Sequence, residues 1–311
     1  MATPMTTVLT HIRGIIIAVP WFLSLLVADI IFTSLLPLVP VTPDIVYGIS
    51  SAVVRFEWKW IQAIFEVVNG AEISVSGDTV PDGESGLVIA NHVCWSDFYM
   101  IQAVAIRSGM ISRLRYFAKV QLLWVPLLGW GFWSLGMPLV SRDWVKDKAE
   151  MDRVFSGIVK RRWPTWLVSF SEATRFTPKK YEESKRWCME NNRPQPKHAL
   201  YPRNKGFVTT VQRLRHAPHM KAVYDLTIAY QHHGKFFEAP TWWDSVSLPG
   251  LTRKQGYRFY VHVRRFPMED LPAQDDELAK WLEKVWIEKG DWLDRMKDEC
   301  EAQWIRGQTS Q

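Results

Sequence analysis

His92 and Asp97 stand with four residues between them in the segment GLVIANHVCWSDFYM. Neutral imidazole can take a proton from a hydroxyl near pH 7. A carboxylate held against its second nitrogen fixes the tautomer and stabilises the imidazolium that forms. The pair therefore has the parts of a general base and its orienter. A plainer reading fits the same spacing: Asp97 stabilises a helix N-terminus and His92 is an ordinary loop residue.

A second cluster follows in FSEATRFT, residues 170–177. Arg175 can grip a phosphate through two parallel N–H bonds, and Glu172 can bind an alcohol hydroxyl or position Arg175. A structural salt bridge between them is the alternative. Further basic candidates for anionic ligands are Lys119, Arg142, Arg203 and Lys205, the last two in LYPRNKGF at 200–207. Cys94, two residues from His92, reads as an apolar space-filler. No G-x-S-x-G elbow is present, which argues against a serine hydrolase.

These residues need a scaffold. Leu87–Ala90 is a short apolar run that reads as a buried strand ending at Asn91 and His92. Ser96 is a candidate N-cap for a helix from Asp97 to about Arg107. His92 then sits on a strand-to-helix loop, at the carboxyl end of a strand, where open α/β sheets form their sites. Other candidate strands are Glu72–Ser76, Arg115–Ala118, Met137–Val140, Leu167–Phe170, Val223–Tyr230 and Arg258–Phe266. In the last, Phe259, Val261 and Val263 alternate with Arg258, Tyr260, His262 and Arg264. A helical pattern also covers Lys146–Lys160. Strands alternating with helices predict an α/β fold: a mixed, partly parallel sheet flanked by helices.

The first 70 residues differ in character. Gly14–Val41 is almost continuously apolar and long enough to cross about 30 Å of hydrocarbon. Pro20 and Pro37 are expected to kink or end that helix, and Asp29 to face protein or an interface. Residues 44–68 carry Ile45, Ile49, Val53, Phe56, Trp60, Ile64 and Val68 on one stripe, with Ser51, Arg55, Lys59, Gln62 and Glu66 opposite. The expected architecture is thus a membrane-embedded two-helix hairpin over 1–70 and an α/β domain over 71–270. A C-terminal amphipathic helix with a short tail completes it over 271–311. Val125–Val140 is too short to span and reads as a buried or interfacial segment along a lipid path.

The chain has 311 residues, a net charge of +6 and 17 tryptophans. The charge suits anionic partners, and tryptophan is favoured at the membrane–water boundary. No zinc-ligand spacing or nucleic-acid motif accompanies the charge, so nucleic acid is not an expected partner. Three scattered cysteines imply no disulfide framework.

The motifs in order resemble the glycerolipid lysophospholipid acyltransferases. Asn91, His92 and Asp97 match that family's N-H-x4-D. Tyr116 to Lys119, Gly129, Gly131 and Arg142 resemble its basic, glycine-containing stretch. Phe170, Glu172, Thr174 and Arg175 match its F-x-E-G-T-R. PRNKGF, YDLTIAY and VHVRRFPMEDLP look like its eukaryotic microsomal branch, which includes lysocardiolipin and lysophosphatidylinositol acyltransferases. The resemblance covers roughly residues 85–290. It implies acyl transfer from acyl-CoA, as substrate, to a lysophospholipid, with lysophosphatidic acid the leading acceptor. It implies His92 and Asp97 as catalytic residues, and Glu172, Thr174, Arg175, Lys119, Arg142 and Lys205 as substrate-binding. It implies no metal or bound cofactor. The expected location is a membrane, the endoplasmic reticulum first, with the mitochondrial membrane or lipid droplet as alternatives. A lipid-binding membrane protein without catalysis is the rival of another class. Two departures stand out: Ala173 replaces the usual glycine, and Ser171 the common proline. If that glycine serves a positive φ, alanine strains the turn.

Overall fold

The computed structural model describes residues 4–125, 129–141 and 144–309. It begins with helix α1 (Pro4–Leu35), a short turn, and helix α2 (Pro43–Ala63), which runs into a wider helical turn at Ile64–Val68. Helix α1 continues through Pro20, and Pro37 lies just past its end. Asp29 turns toward the protein, where its Oδ1 is buried.

The strands are β1 (Ile73–Gly77), β2 (Ser85–Ala90), β3 (Leu114–Tyr116), β4 (Ala118–Lys119), β5 (Leu139–Val140), β6 (Trp166–Phe170), β7 (Met220–His232), β8 (Lys235–Phe236) and β9 (Tyr257–Pro267). Between them lie α3 (Asp97–Arg107), α4 (Gly129–Ser134), α5 (Trp144–Arg161), α6 (Pro178–Glu190), α7 (Asn204–Leu214) and α8 (Trp242–Ser247). Helix α9 (Asp275–Thr309) follows the last strand. The main sheet has the order β1-β9-β7-β2-β6-β3, with β8 added on β7; β4 and β5 form a separate pair. Strand β2 runs parallel to both β6 and β7, while β7 and β9 are antiparallel. The expected mixed, partly parallel sheet flanked by helices is what forms.

Strand β2 is central because both of its faces are covered. Val88 and Ala90 join one core with Trp21 and Leu25 of α1, Val54 and Ile61 of α2, and Met100 and Val104 of α3. Leu87 and Ile89 face the other way, into a core with Phe155 of α5, Val211 of α7 and Leu282 and Trp286 of α9. Full burial of one such aliphatic side chain is worth about 1.5–3 kcal/mol, so the central strands are the stable platform. The alternation expected in β9 holds, with Phe259, Val261 and Val263 buried and their neighbours partly exposed.

Helix α2 is oriented in a way that its sequence stripes alone do not settle. Its polar Ser50, Ser51, Glu57 and Gln62 face inward and are buried. Ile45, Ile49 and Phe56 face outward, at 60%, 42% and 59% exposure. Ser24 of α1 donates a hydrogen bond of 2.9 Å to Glu57. Inward stripes from both helices pack on the domain, so the outer face of α1 is largely apolar, and that of α2 mixes apolar side chains with exposed Arg55 and Lys59.

Asn69 locks this N-terminal pair to the rest. Its Nδ2 donates to the carbonyls of Ser245 (2.7 Å) and Val246 (2.9 Å), and its Oδ1 accepts from Arg13 (2.6 Å). The residue has no solvent exposure. Asn69→Ala leaves buried groups short of partners and should cost about 2–4 kcal/mol. Thermal unfolding in detergent checks this: a melting temperature several degrees lower is expected, and an unchanged melting curve would contradict it.

Candidate active site

Sheet register assembles the site. Ala90, the last residue of β2, is paired with Phe170 of β6 on one side and Leu226 of β7 on the other. The chain beyond β2 and β6 therefore emerges at one end of the sheet, beside the continuing β7. Asn91 turns its side chain onto β7, donating to the Ile228 carbonyl (2.9 Å) and accepting from the Ile228 N–H (2.8 Å). That two-bond stitch fixes where the next residue, His92, leaves the strand.

His92 Nδ1 and Asp97 Oδ2 are 2.7 Å apart. Asp97 is wholly buried, while the His92 side chain retains 14% exposure. The carboxylate is met on every side. Oδ2 also accepts the backbone N–H of Val93 (2.7 Å) and Cys94 (3.1 Å), and Oδ1 accepts the hydroxyl of Tyr230 (2.7 Å). A buried carboxylate needs such donors, each worth about 1.5–3 kcal/mol when charge-assisted. Phe170 stacks on the imidazole with ring centroids 4.0 Å apart. A proton on Nδ1, held by Asp97, leaves Nε2 with its lone pair. The pair foreseen from spacing is thus joined, and Nε2 is available as a base.

Ser96 holds the N-cap position of α3, but its hydroxyl does not cap the helix. It donates instead to the Pro240 carbonyl at 3.2 Å. Capping through Ser96 was the expectation; Asp97 itself organises the turn by accepting N–H groups that precede it. Cys94 is partly buried beside Asp97, and burial pushes its thiol well above the ordinary range. A thiol so hard to ionise is a space-filler and no nucleophile.

The 171–175 turn follows β6 directly. Ala173 has φ of +57°, so the usual glycine's place is a left-handed position. Alanine carries a cost there that glycine does not. The turn bends the chain back so that the Phe176 N–H donates to the His92 carbonyl at 2.6 Å. Arg175 is exposed. Glu172 is buried, its Oε1 3.4 Å from the indole N–H of Trp286. Burial raises its carboxyl to about 8. Thr174 is engaged by Lys180, whose Nζ also reaches the Arg175 carbonyl at 3.3 Å.

The remaining basic candidates divide. The Arg203 N–H donates to the Ser171 carbonyl at 2.7 Å, which brings the PRNKGF segment against the turn. Lys205 is exposed in the first turn of α7, two residues on. Lys119 is exposed on β4, beyond the β3 edge of the sheet. Arg142 lies outside the described residues. Sequence reasoning missed Tyr230, Phe170 as a stacking partner, Trp286 and Lys180. Tyr230 alone left a signal: it falls on the same face of its strand as Leu226 and Ile228, at the carboxyl end.

Residues 72–231 match the sequence profile of the family described as Acyltransferase, and residues 250–303 match Acyltransferase C-terminus. The chain belongs to the acyltransferase family. Among curated relatives, a probable 1-acyl-sn-glycerol-3-phosphate acyltransferase 5 of Arabidopsis thaliana is 33% identical over 219 residues, 70% of this chain and 55% of that protein. The Homo sapiens 1-acyl-sn-glycerol-3-phosphate acyltransferase delta is 33% identical over 206 residues, 66% of this chain and 51% of that protein. The chain thus spans about half the length of these curated relatives in each match. A solved structure, the 1-acyl-sn-glycerophosphate (LPA) acyltransferase PlsC from Thermotoga maritima, is similar at a TM-score of 0.48 and 14% identity. That match covers 86% of this chain and 95% of that one.

For this member of the acyltransferase family, Tyr230→Phe tests how the buried carboxylate is held. Loss of one charge-assisted bond of about 1.5–3 kcal/mol should lower kcat by about one to two decades. Secondary structure should be retained, as judged by circular dichroism. A variant with wild-type kcat would show that the hydroxyl does not serve the pair.

Proposed function

We propose that the chain transfers a fatty acyl group from acyl-CoA to the free hydroxyl of lysophosphatidic acid, giving phosphatidic acid. The observation that carries this reading is the 2.7 Å contact between His92 Nδ1 and buried Asp97, with exposed Arg175 one residue before Phe176, whose N–H donates to the His92 carbonyl. Nε2 takes the proton of the acceptor hydroxyl as its oxygen bonds to the thioester carbonyl carbon. The tetrahedral intermediate then expels the thiolate by breaking the C–S bond, and the imidazolium returns the proton to sulfur. The thioester is already activated, so no acyl-enzyme is needed, and no metal or bound cofactor enters any step. Arg175 binds the acceptor phosphate as a planar fork, with Lys205 and Lys119 as further anion contacts. Lysophosphatidylinositol and lysocardiolipin carry the same phosphate and are the alternative acceptors of a remodelling enzyme.

The reading includes the membrane. Residues 5–38 form one helical stretch long and apolar enough to cross a bilayer. The inward stripe of α1 packs on the domain, while Ile16, Leu23, Val27 and Ile30 are exposed. The outer face of α2 exposes Ile45, Ile49 and Phe56 beside Arg55 and Lys59, a mixture that suits the headgroup boundary. Lipid against both outer faces removes that apolar area from water. The His92 loop lies on the same side of the sheet: Val93, Cys94 and Trp95 pack against the core that α1 and α2 help to form. Acceptor and acyl chain can then reach the base from the bilayer. The endoplasmic reticulum is the proposed membrane, by analogy with the microsomal branch.

Two tests follow. In a panel of lysolipids with one acyl-CoA, His92→Ala should lower turnover by about 10²–10⁴-fold. Arg175→Lys should raise the acceptor KM, or lower kcat/KM, by about one to two decades, with little effect on acyl-CoA. Near-normal turnover in His92→Ala would remove the base from the mechanism, and a loss confined to acyl-CoA would move Arg175 to the coenzyme. For attachment, the protein should stay with membranes through high salt and alkaline carbonate and leave them in detergent. Release of folded protein by salt alone would contradict the lipid contact.

A further inference from the structure

Glu172 is an ionisable residue of the 171–175 turn that the proposed mechanism does not use. It is 3% exposed, too buried for an acceptor hydroxyl to meet without displacing protein. Its Oε1 accepts from the Trp286 indole N–H of α9 at 3.4 Å. Its Oε2 is buried and has no hydrogen-bond partner among the described residues. Lys289, a cation that acts on Glu172, is itself buried and already occupied: it lies 2.6 Å from Asp225 and donates to the Leu226 carbonyl (2.8 Å) and Thr227 hydroxyl (3.1 Å). Next to Glu172, the Ser171 carbonyl accepts from Arg203, so the turn is tied to the 200–203 segment at Ser171 and to α9 at Glu172.

We infer that Glu172 is a positioning residue, which clamps the 171–175 turn to α9, and is not a ligand of the acceptor. The inference rests on the acyltransferase reading for its kinetic consequence. Clamped at Glu172, the chain passes through the left-handed Ala173, presents Arg175 outward, and ties Phe176 to the His92 carbonyl. One clamp thus sets both the phosphate fork and the base. The groups facing it are Lys289 from α9 and Asp97 from α3, the first favouring its ionised form and the second opposing it. Desolvation outweighs both, so the clamp works as a neutral carboxyl below about pH 8.

Three variants separate a clamp from a ligand: Glu172→Ala, Glu172→Gln and Trp286→Phe. A clamp predicts that Glu172→Ala lowers kcat by about tenfold or more and raises the acceptor KM with it, because small misplacements are costly in both. Trp286→Phe should reproduce that pattern more weakly, and Glu172→Gln should restore most of kcat. The glutamine variant should also lose any fall in rate that the wild type undergoes as pH rises through about 8. A raised acceptor KM at constant kcat in both Glu172 variants, with Trp286→Phe silent, would overturn the inference in favour of a ligand.

A second measurement needs no turnover. The folded protein holds the Glu172 proton to about pH 8, while the unfolded chain releases it near the ordinary carboxylate value. Stability therefore falls as pH rises between those values, and the penalty is complete above the folded one. The melting temperature of Glu172→Gln should gain on the wild type between pH 4 and pH 9, a range of about five units that spans both values. A constant difference across that range would sink the buried clamp. Wild-type protein that transfers no acyl group to any lysolipid would sink the functional reading, and the melting comparison alone would then judge the clamp.

Discussion

A carboxylate with no access to solvent must be surrounded by donors, and the Asp97 carboxylate decides how this end of the sheet is built. Its donors come from three places: the imidazole of His92, the backbone of Val93 and Cys94, and the hydroxyl of Tyr230. Gathering them requires the loop after β2 to fold back over the first turn of α3. It also requires β7 to run long enough to bring Tyr230 alongside. The Asn91 stitch to Ile228 fixes β2 and β7 at the register that makes this possible. Without it the acid would be buried with too few partners, at a cost of several kcal/mol.

The two faces of the sheet then divide the work. One is closed by α5, α7 and α9, and carries the clamp on the 171–175 turn through Trp286. The other is closed by α3 and by the N-terminal helices, whose outer surfaces expose many apolar side chains. His92 lies where these meet, stacked on Phe170 and tied through its carbonyl to Phe176. A site built this way combines a rigid protein floor with an apolar approach. That combination suits a lipid acceptor whose headgroup is charged.

Much of this was legible in the sequence where the determinants are local. Strand β2, helix α3 and the His92–Asp97 pair follow from a short apolar run, a small polar break and a fixed spacing. The alternation in β9 is equally local. Contacts made across the fold left weaker traces: Tyr230 and Trp286 stand more than a hundred residues from their partners Asp97 and Glu172. Helix α6 buries only Cys188, so no apolar stripe announces it. Helix α2 reads as amphipathic, yet it turns Ser51 and Gln62 inward and Ile49 outward. Periodicity gives the two faces of a helix, and only packing says which one the protein takes. Ala173 was the reverse case, since the question of positive φ could be posed from sequence and needed a backbone angle to answer.

The central claim is that Asp97 holds His92 with its proton on Nδ1, so that Nε2 can take one from the acceptor. Asp97→Asn tests it most directly, because the amide keeps the size of the side chain and removes the charge that stabilises the imidazolium. Phosphatidic acid formation from lysophosphatidic acid and an acyl-CoA should fall by about 10²–10⁴-fold, with acceptor affinity and membrane attachment unchanged. Turnover within a few-fold of wild type in a folded Asp97→Asn protein would contradict the account.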